Sequence, residues 1–173
     1  MKKEIRLSGS GGQGLILAGV ILAEGAILSQ LNAVQSQSYG PEARGGASKS
    51  EVILSDKCIN FPKVIKSDIL VSLTQKSFDE YIKNSKEGSI VIVDSSIDTN
   101  NTDLFKVYKA PILHTAKETI KKPMTANIVT LGVISSIIDE VDKDKLKFAI
   151  LKRVPKGTEE TNIEAFEAGL KLL

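Results

Sequence analysis

Gly9-Ser10-Gly11-Gly12-Gln13-Gly14 stands between a short run, Lys3 to Ser8, and a long one, Leu15 to Leu28. The short run places Ile5 and Leu7 on alternate positions and ends in glycine, the pattern of a strand. The long run is apolar on nearly every side, which makes it a helix buried between a sheet and its neighbours. Strand, glycine turn and buried helix in succession open an α/β fold. Glycine costs backbone entropy, so it collects where φ must be positive or where another molecule approaches the backbone. A second such segment follows, Tyr39-Gly40-Pro41-Glu42-Ala43-Arg44-Gly45-Gly46, and the two together hold seven of the 13 glycines.

Further along, Ala33 to Tyr39 reads as a second strand and Ala47 to Leu54, with Val52 and Ile53, as a third. The link between them is short, which forces an antiparallel neighbour, since a parallel return needs a dozen or more residues. Asp68 to Leu73 and Ser89 to Asp94 are buried strands, with a helix from Gln75 to Lys83 between them. Ser95 to Asp103 is a polar loop, and Phe105 to Tyr108 and Pro111 to His114 read as short strands. Thr125 to Glu140 and Lys143 to Leu151 are helices, and a last helix starts near Thr161, where Thr161-Asn162-Ile163-Glu164 has the form of a capping box. Strands alternating with helices predict a three-layer α/β/α domain with a mainly parallel sheet and at least one antiparallel strand. With no repeat, low-complexity tract or linker, residues 1–173 read as a single domain.

Composition excludes several classes of function. The net charge is +2, only Arg6, Arg44 and Arg153 are arginines, and no basic stripe carries interleaved aromatics, so nucleic acid is not the expected partner. Cys58 is the single cysteine; it cannot form an internal disulfide, nor hold an iron–sulfur cluster, which takes about four thiolates. The apolar run from Leu15 is ended by Glu24, well short of the roughly 20 residues of a membrane span. Glu4 and the glycine loop interrupt the core that a signal peptide needs. The chain is expected to be cytoplasmic, with no membrane partner.

The first loop has the Gly-x-Gly-x-x-Gly spacing of a dinucleotide fingerprint in a strand–loop–helix setting. The acidic residue that should follow the second strand is missing from Gln35 to Tyr39, and Glu42 lies past that point. Two other readings stand: a tight turn without a ligand, or a surface that meets a ligand or partner, for which Gln13 at the helix start is suited. In the second loop Arg44 either pairs with Glu42 on the surface or offers a planar donor fork to a phosphate, a carboxylate or a carbonyl of another subunit. If strands one and two are parallel neighbours, both loops leave one edge of the sheet, where α/β proteins place their crevice. His114 is expected to cap or pack at a strand end, Cys58 to be a half-buried structural thiol, and Lys152, Arg153 and Lys156 to form a solvated cluster. Asn127 is explained as a helix N-cap.

The two loops together closely resemble the gamma subunit of 2-oxoacid:ferredoxin oxidoreductases. The resemblance continues through Lys57 to Pro62, Asp68, Asn127 to Gly132, and Asn162, Ala165, Phe166 and Gly169. It implies a chain of an enzyme that oxidatively decarboxylates a 2-oxoacid to an acyl-CoA and reduces ferredoxin, of a 2-oxoglutarate type. Thiamine diphosphate and iron–sulfur clusters are implied on separate alpha, beta and ferredoxin-like partners, within an assembly that can itself be homodimeric. None is implied on this chain, and no catalytic residue or metal ligand is assigned here. Gly11, Gly12, Gln13, Gly14, Arg44, Gly45, Gly46 and Asn127 are the residues expected at a subunit interface or at the approach of coenzyme A as substrate.

Overall fold

The computed structural model describes residues 1–38, 47–100 and 102–173. Among them, six strands form one sheet in the order β2-β3-β1-β4-β5-β6. The strands are β1 (Lys2–Ser10), β2 (Asn32–Ser38), β3 (Ala47–Ser55), β4 (Ser67–Ser72), β5 (Ser85–Asp94) and β6 (Lys106–Ala110). β1 pairs parallel with β4, β4 with β5 and β5 with β6, while β3 is antiparallel to both β1 and β2. Five strands therefore point one way and β3 alone is reversed, which agrees with the expected mainly parallel sheet.

β3 also corrects one expectation. β1 and β2 point the same way but are not neighbours, because β3 lies between them, with Ser10 opposite Ala47 and Asn32 opposite Ser55. β3 runs antiparallel along β2, and the apolar run from Val52 to Leu54 is then buried in the middle of the sheet instead of at its rim.

One face carries most of the core. α1 (Leu15–Leu28) and α4 (Ala126–Ile137) bury Ile21, Leu22, Val129 and Val133 with Ile5, Leu7, Val71 and Ile92 of the sheet. α5 (Lys143–Arg153) and α6 (Glu159–Leu170) pack behind them, adding Leu146, Ile150 and Phe166. α4 and α6 approach with glycine against glycine: a Cβ on Gly132 would lie 2.2 Å from the Phe166 carbonyl oxygen. On the other face α2 (Gln75–Tyr81) places Phe78 and Tyr81 over Leu70, Val91 and Val93. Helices on both faces make the three layers.

Under α2 lies a buried charge pair. Arg6, 2% exposed, donates from Nε to Glu51 Oε1 at 2.8 Å, across the β1–β3 pairing. Its Nη2 donates to the Val64 carbonyl at 2.8 Å and its Nη1 to the Asn84 carbonyl at 3.3 Å, and the guanidinium stands 5.5 Å from the Tyr81 ring centre. Lys49 Nζ reaches the same Glu51 oxygen at 3.0 Å. Buried polar groups persist when each finds partners, and here they do.

Two local expectations fail. Pro111 to His114 is not a strand: α3 (Ile112–His114) runs into a π turn, Thr115–Thr119, and Leu113 N donates to Asp94 Oδ2 at 2.8 Å. The buried carboxylate at the end of β5 thus accepts from the first turn and starts a helix where the sequence shows only a short apolar pair. The last helix does start near Thr161, at Glu159, but Thr158 precedes it without a side-chain cap and Thr161 lies inside. A capping box cannot operate from within a helix.

Candidate functional site

β1 delivers the first glycine loop at the carboxyl edge of the sheet. The loop closes on itself: Gln13 N donates to the Ser10 carbonyl at 3.4 Å, and Gln13 Oε1 accepts from Ser10 N at 2.8 Å. Gly9 is required by that closure, since a Cβ there would stand 2.2 Å from Gln13 Oε1. Gln13 thus holds the turn through its backbone amide and its Oε1.

The remaining glycines divide by task. Gly14 precedes α1 in the left-handed region, φ +72, and its carbonyl accepts from Ala18 N at 3.0 Å and from Asn127 Nδ2 at 3.2 Å. Gly12 is left-handed too, φ +89. Gly11 and Gly12 are exposed, and a Cβ on either would meet nothing within 4 Å. Gly11 has neither a positive φ nor a crowded Cβ, so the fold itself does not demand glycine there. At the start of α1 no side chain caps the first amides and the first turn holds no acid. These amides have no partner inside the helix.

Asn127 is not an N-cap. It lies inside α4, 5% exposed, with Oδ1 accepting from Ile128 N at 2.9 Å while Nδ2 holds the loop. Its side chain is turned inward to the Gly14 backbone; Met124, 79% exposed, is the apolar side chain that projects just ahead of α4.

The neighbouring strand completes the edge. Ser8 Oγ and Ser72 Oγ are 2.9 Å apart, Leu73 N donates to the Ser8 carbonyl at 3.0 Å, and Thr74 Oγ1 caps α2 by accepting from Ser77 N at 3.3 Å. α1 leaves β1 for one face and α2 leaves β4 for the other. Adjacent parallel strands whose connections part in this way form the switch-point crevice of open α/β sheets. The Leu73–Gln75 turn on its far wall was not anticipated; the break at Ser72-Leu73-Thr74-Gln75, a strand end followed by a capping threonine, is the signal that could have found it.

The structure thus brings Gly11, Gly12, Gln13, Gly14 and Asn127 together. Arg44, Gly45 and Gly46 lie outside the described residues, as do Tyr39 and Glu42; β3 begins at Ala47 opposite Ser10. Lys152, Arg153 and Lys156 are exposed, as expected of a solvated cluster, and Lys152 and Arg153 also donate to Glu24 of α1 at 2.8 and 2.6 Å. Their bonds, that of Lys152 first, hold the Glu24 carboxyl below the usual carboxylate range. Cys58 is exposed, not half-buried, and His114 sits exposed in α3, not at a strand end. Among the described residues no three or more His, Cys, Asp or Glu gather to hold a metal ion, and no helix is long and apolar enough to cross a membrane.

Residues 4–172 match the family model of pyruvate ferredoxin/flavodoxin oxidoreductase. The chain belongs to this family. It is 54% identical to a chain of Methanocaldococcus jannaschii named 2-oxoglutarate synthase subunit KorC, over 99% of this chain and 94% of that one. The keto/oxoacid ferredoxin oxidoreductase gamma subunit of Geobacter sulfurreducens, 44% identical, superposes with a TM-score of 0.90 over 99% of this chain and 96% of its own. A 2-oxoglutarate:ferredoxin oxidoreductase of Magnetococcus marinus, solved with 2-oxoglutarate, coenzyme A and succinyl-CoA bound, has the same fold over 31% of a longer chain. Its TM-score is 0.88, over 99% of this chain, and at 22% identity that likeness is one of fold alone. Relatives named for 2-oxoglutarate synthase are 36–54% identical to this chain, and relatives named for ketoisovalerate or pyruvate enzymes 28–32%. The resemblance read from the two glycine loops is borne out.

Proposed function

We propose that this chain is the gamma-type subunit of a 2-oxoglutarate:ferredoxin oxidoreductase and that its carboxyl edge meets the partner chains. The observation that carries the substrate class is the 54% identity, over nearly the whole chain, to a 2-oxoglutarate synthase subunit. The assembled enzyme would join oxidative loss of carbon dioxide from 2-oxoglutarate to thioester formation with coenzyme A, passing the electrons to ferredoxin. A single cysteine does not fit a cluster that needs about four thiolates. The iron–sulfur clusters therefore belong, in this reading, to partner chains in the cytoplasm, and thiamine diphosphate is assigned to the alpha and beta partners because the family resemblance implies it. This chain's own part, in this reading, is the glycine-loop edge, together with Arg44, Gly45 and Gly46, which precede β3 in the sequence.

Gly11 supports that reading, because an exposed glycine with no conformational need leaves room for something outside the chain. Gly11→Asp tests it. The chain should fold with an unchanged unfolding midpoint yet lose copurification with the alpha and beta subunits. Full assembly by this variant removes the edge from the interface. The coenzyme A role is tested separately by titrating the assembled enzyme carrying Arg44→Ala; unchanged affinity removes it. The substrate class is read by reduction of ferredoxin with 2-oxoglutarate against pyruvate and 2-oxoisovalerate, and faster turnover with either competitor overturns it.

A further inference from the structure

Residues 56–66 join two strands at the end of the sheet away from the glycine loop: β3 ends at Ser55, opposite Lys2 of β1, and β4 starts at Ser67. Both ends of this stretch are tied down. The N-terminal amine pairs with Asp56 Oδ1 at 2.7 Å, and Lys57 N donates to Ser55 Oγ at 3.0 Å. At the other end Val64 is buried, and its carbonyl accepts from Arg6 Nη2 at 2.8 Å. Between these ties, residues 58–63 make no backbone hydrogen bond within the described chain. Phe61 is 52% and Ile65 70% exposed, and Pro62 stiffens the strip between them. Leu104, 61% exposed, stands at the same end of the sheet, ahead of β6. A pinned strip that holds a phenylalanine and an isoleucine out in water has the make-up of an interface core.

We infer that residues 57–66 are a docking strip for a partner subunit that offers an apolar hollow ringed by carboxylates, with Phe61 and Ile65 as anchors. The charges select this occupant. Residues 57–66 carry three lysines, Lys57, Lys63 and Lys66, and no acid. None of the three has an acidic partner within the described chain, nor do Lys83 and Lys106, which lead into β5 and β6 at the same end. Most acids at the starts of these strands are taken. Asp56 holds the N-terminal amine, and Lys86 donates to Glu4 at 2.9 Å and to Asp68 at 2.7 Å. That leaves Glu87 near the start of β5 and Asp103 ahead of β6, against five unpaired lysines. An excess of one sign around apolar anchors steers and orients a partner of the other sign. A protein rim of mixed sign accommodates Glu87 and Asp103, whereas a layer of anionic lipid headgroups repels them. The inference rests on the subunit reading and adds a second contact to it, at the opposite end of the strands from the glycine loop.

The test treats the complex reconstituted from this chain and its alpha, beta and ferredoxin-like chains with a zero-length carbodiimide, which joins a lysine amine to a carboxylate in contact with it. Mass spectrometry should find Lys57, Lys63 or Lys66 joined to an aspartate or glutamate of a partner chain. Phe61→Ser with Ile65→Ser should weaken binding of that chain by about tenfold or more, with unchanged circular dichroism and unfolding midpoint. A complex that forms but joins none of the three lysines to a partner overturns the docking strip and leaves the subunit reading standing. So does equal binding of the double variant and the wild type. If the wild type binds none of the three chains, the subunit reading fails and the strip with it. Sedimentation of the wild type, and not of the double variant, with phosphatidylserine vesicles would make the strip a membrane contact and overturn the inference. Should the serine variant lose its fold, Lys57→Glu with Lys63→Glu replaces it, and binding as tight as that of the wild type overturns the strip.

Discussion

Gly14 and Asn127 should behave as one unit, and a double-mutant cycle measures how tightly. Gly14→Ala forces an L-residue into the left-handed region, which costs about 1–2 kcal/mol. The new Cβ would also stand 2.7 Å from Asn127 Nδ2 and 3.0 Å from its Cγ. Overpacking of that degree costs a further amount of about 1–3 kcal/mol. Asn127→Ala removes two hydrogen bonds, one to the Gly14 carbonyl, which keeps Ala18 N at 3.0 Å, and one from Ile128 N, so its net loss is about 1–3 kcal/mol. In the double variant the overlap disappears while the backbone cost stays. The four proteins, unfolded in urea with matching slopes, should therefore give a coupling of about 1–3 kcal/mol in the relieving sense. Additivity to within about 0.5 kcal/mol would refute the clamp, because it would mean that the two residues do not touch in solution.

Glu51→Ala leaves Arg6 buried with only carbonyl partners and should cost about 3–5 kcal/mol in urea unfolding, whereas Arg6→Met with Glu51→Leu should cost far less; equal losses would refute the buried-charge account. Tyr81 has its phenol pushed up to about 12, by burial first and then by Glu80. Its neutral form is favoured by folding, so the stability it contributes is complete below its unfolded value near 10 and is lost as pH rises through about 12. Ultraviolet titration of the three tyrosines should show one late transition that Tyr81→Phe removes. Gly132→Ala should open the α4–α6 contact and lower the melting temperature by several degrees, since its Cβ would meet the Phe166 carbonyl, and backbone yields less readily than side chain.

The sequence announced β1, the glycine loop and α1 because each rests on local chemistry: alternation, positive φ and an apolar run. The reversal of β3 was also legible, from the shortness of its link to β2. Its insertion between β2 and β1 was not, because register across the sheet depends on pairings such as Ser10 with Ala47 that span more than thirty residues. α3 was lost for a similar reason, as the group that starts it, Asp94, lies on another strand. Within the site, Gly12 and Gly14 were readable as special backbone positions. The tasks of Gln13 and Asn127 were not: Gln13 read as suited to a ligand or partner and Asn127 as a helix N-cap, and both bond the loop. A polar side chain next to glycine says that something is bonded there without saying whether it is the chain itself.

The position of β1 has a consequence for how the chain comes into being. It precedes both of its neighbours in the chain and lies between them, β3 on one side and β4 on the other, and its last parallel partner is Ser72. During synthesis one of its edges stays open until β3 has been made and the other until β4 has, and pairings so distant in sequence form slowly. Met1 to Leu7 with the apolar α1 is thus the segment most exposed to mispairing in the nascent chain. Shielding by a chaperone, or a pause placed after β4, should raise the yield of folded protein more than any change to the finished surface.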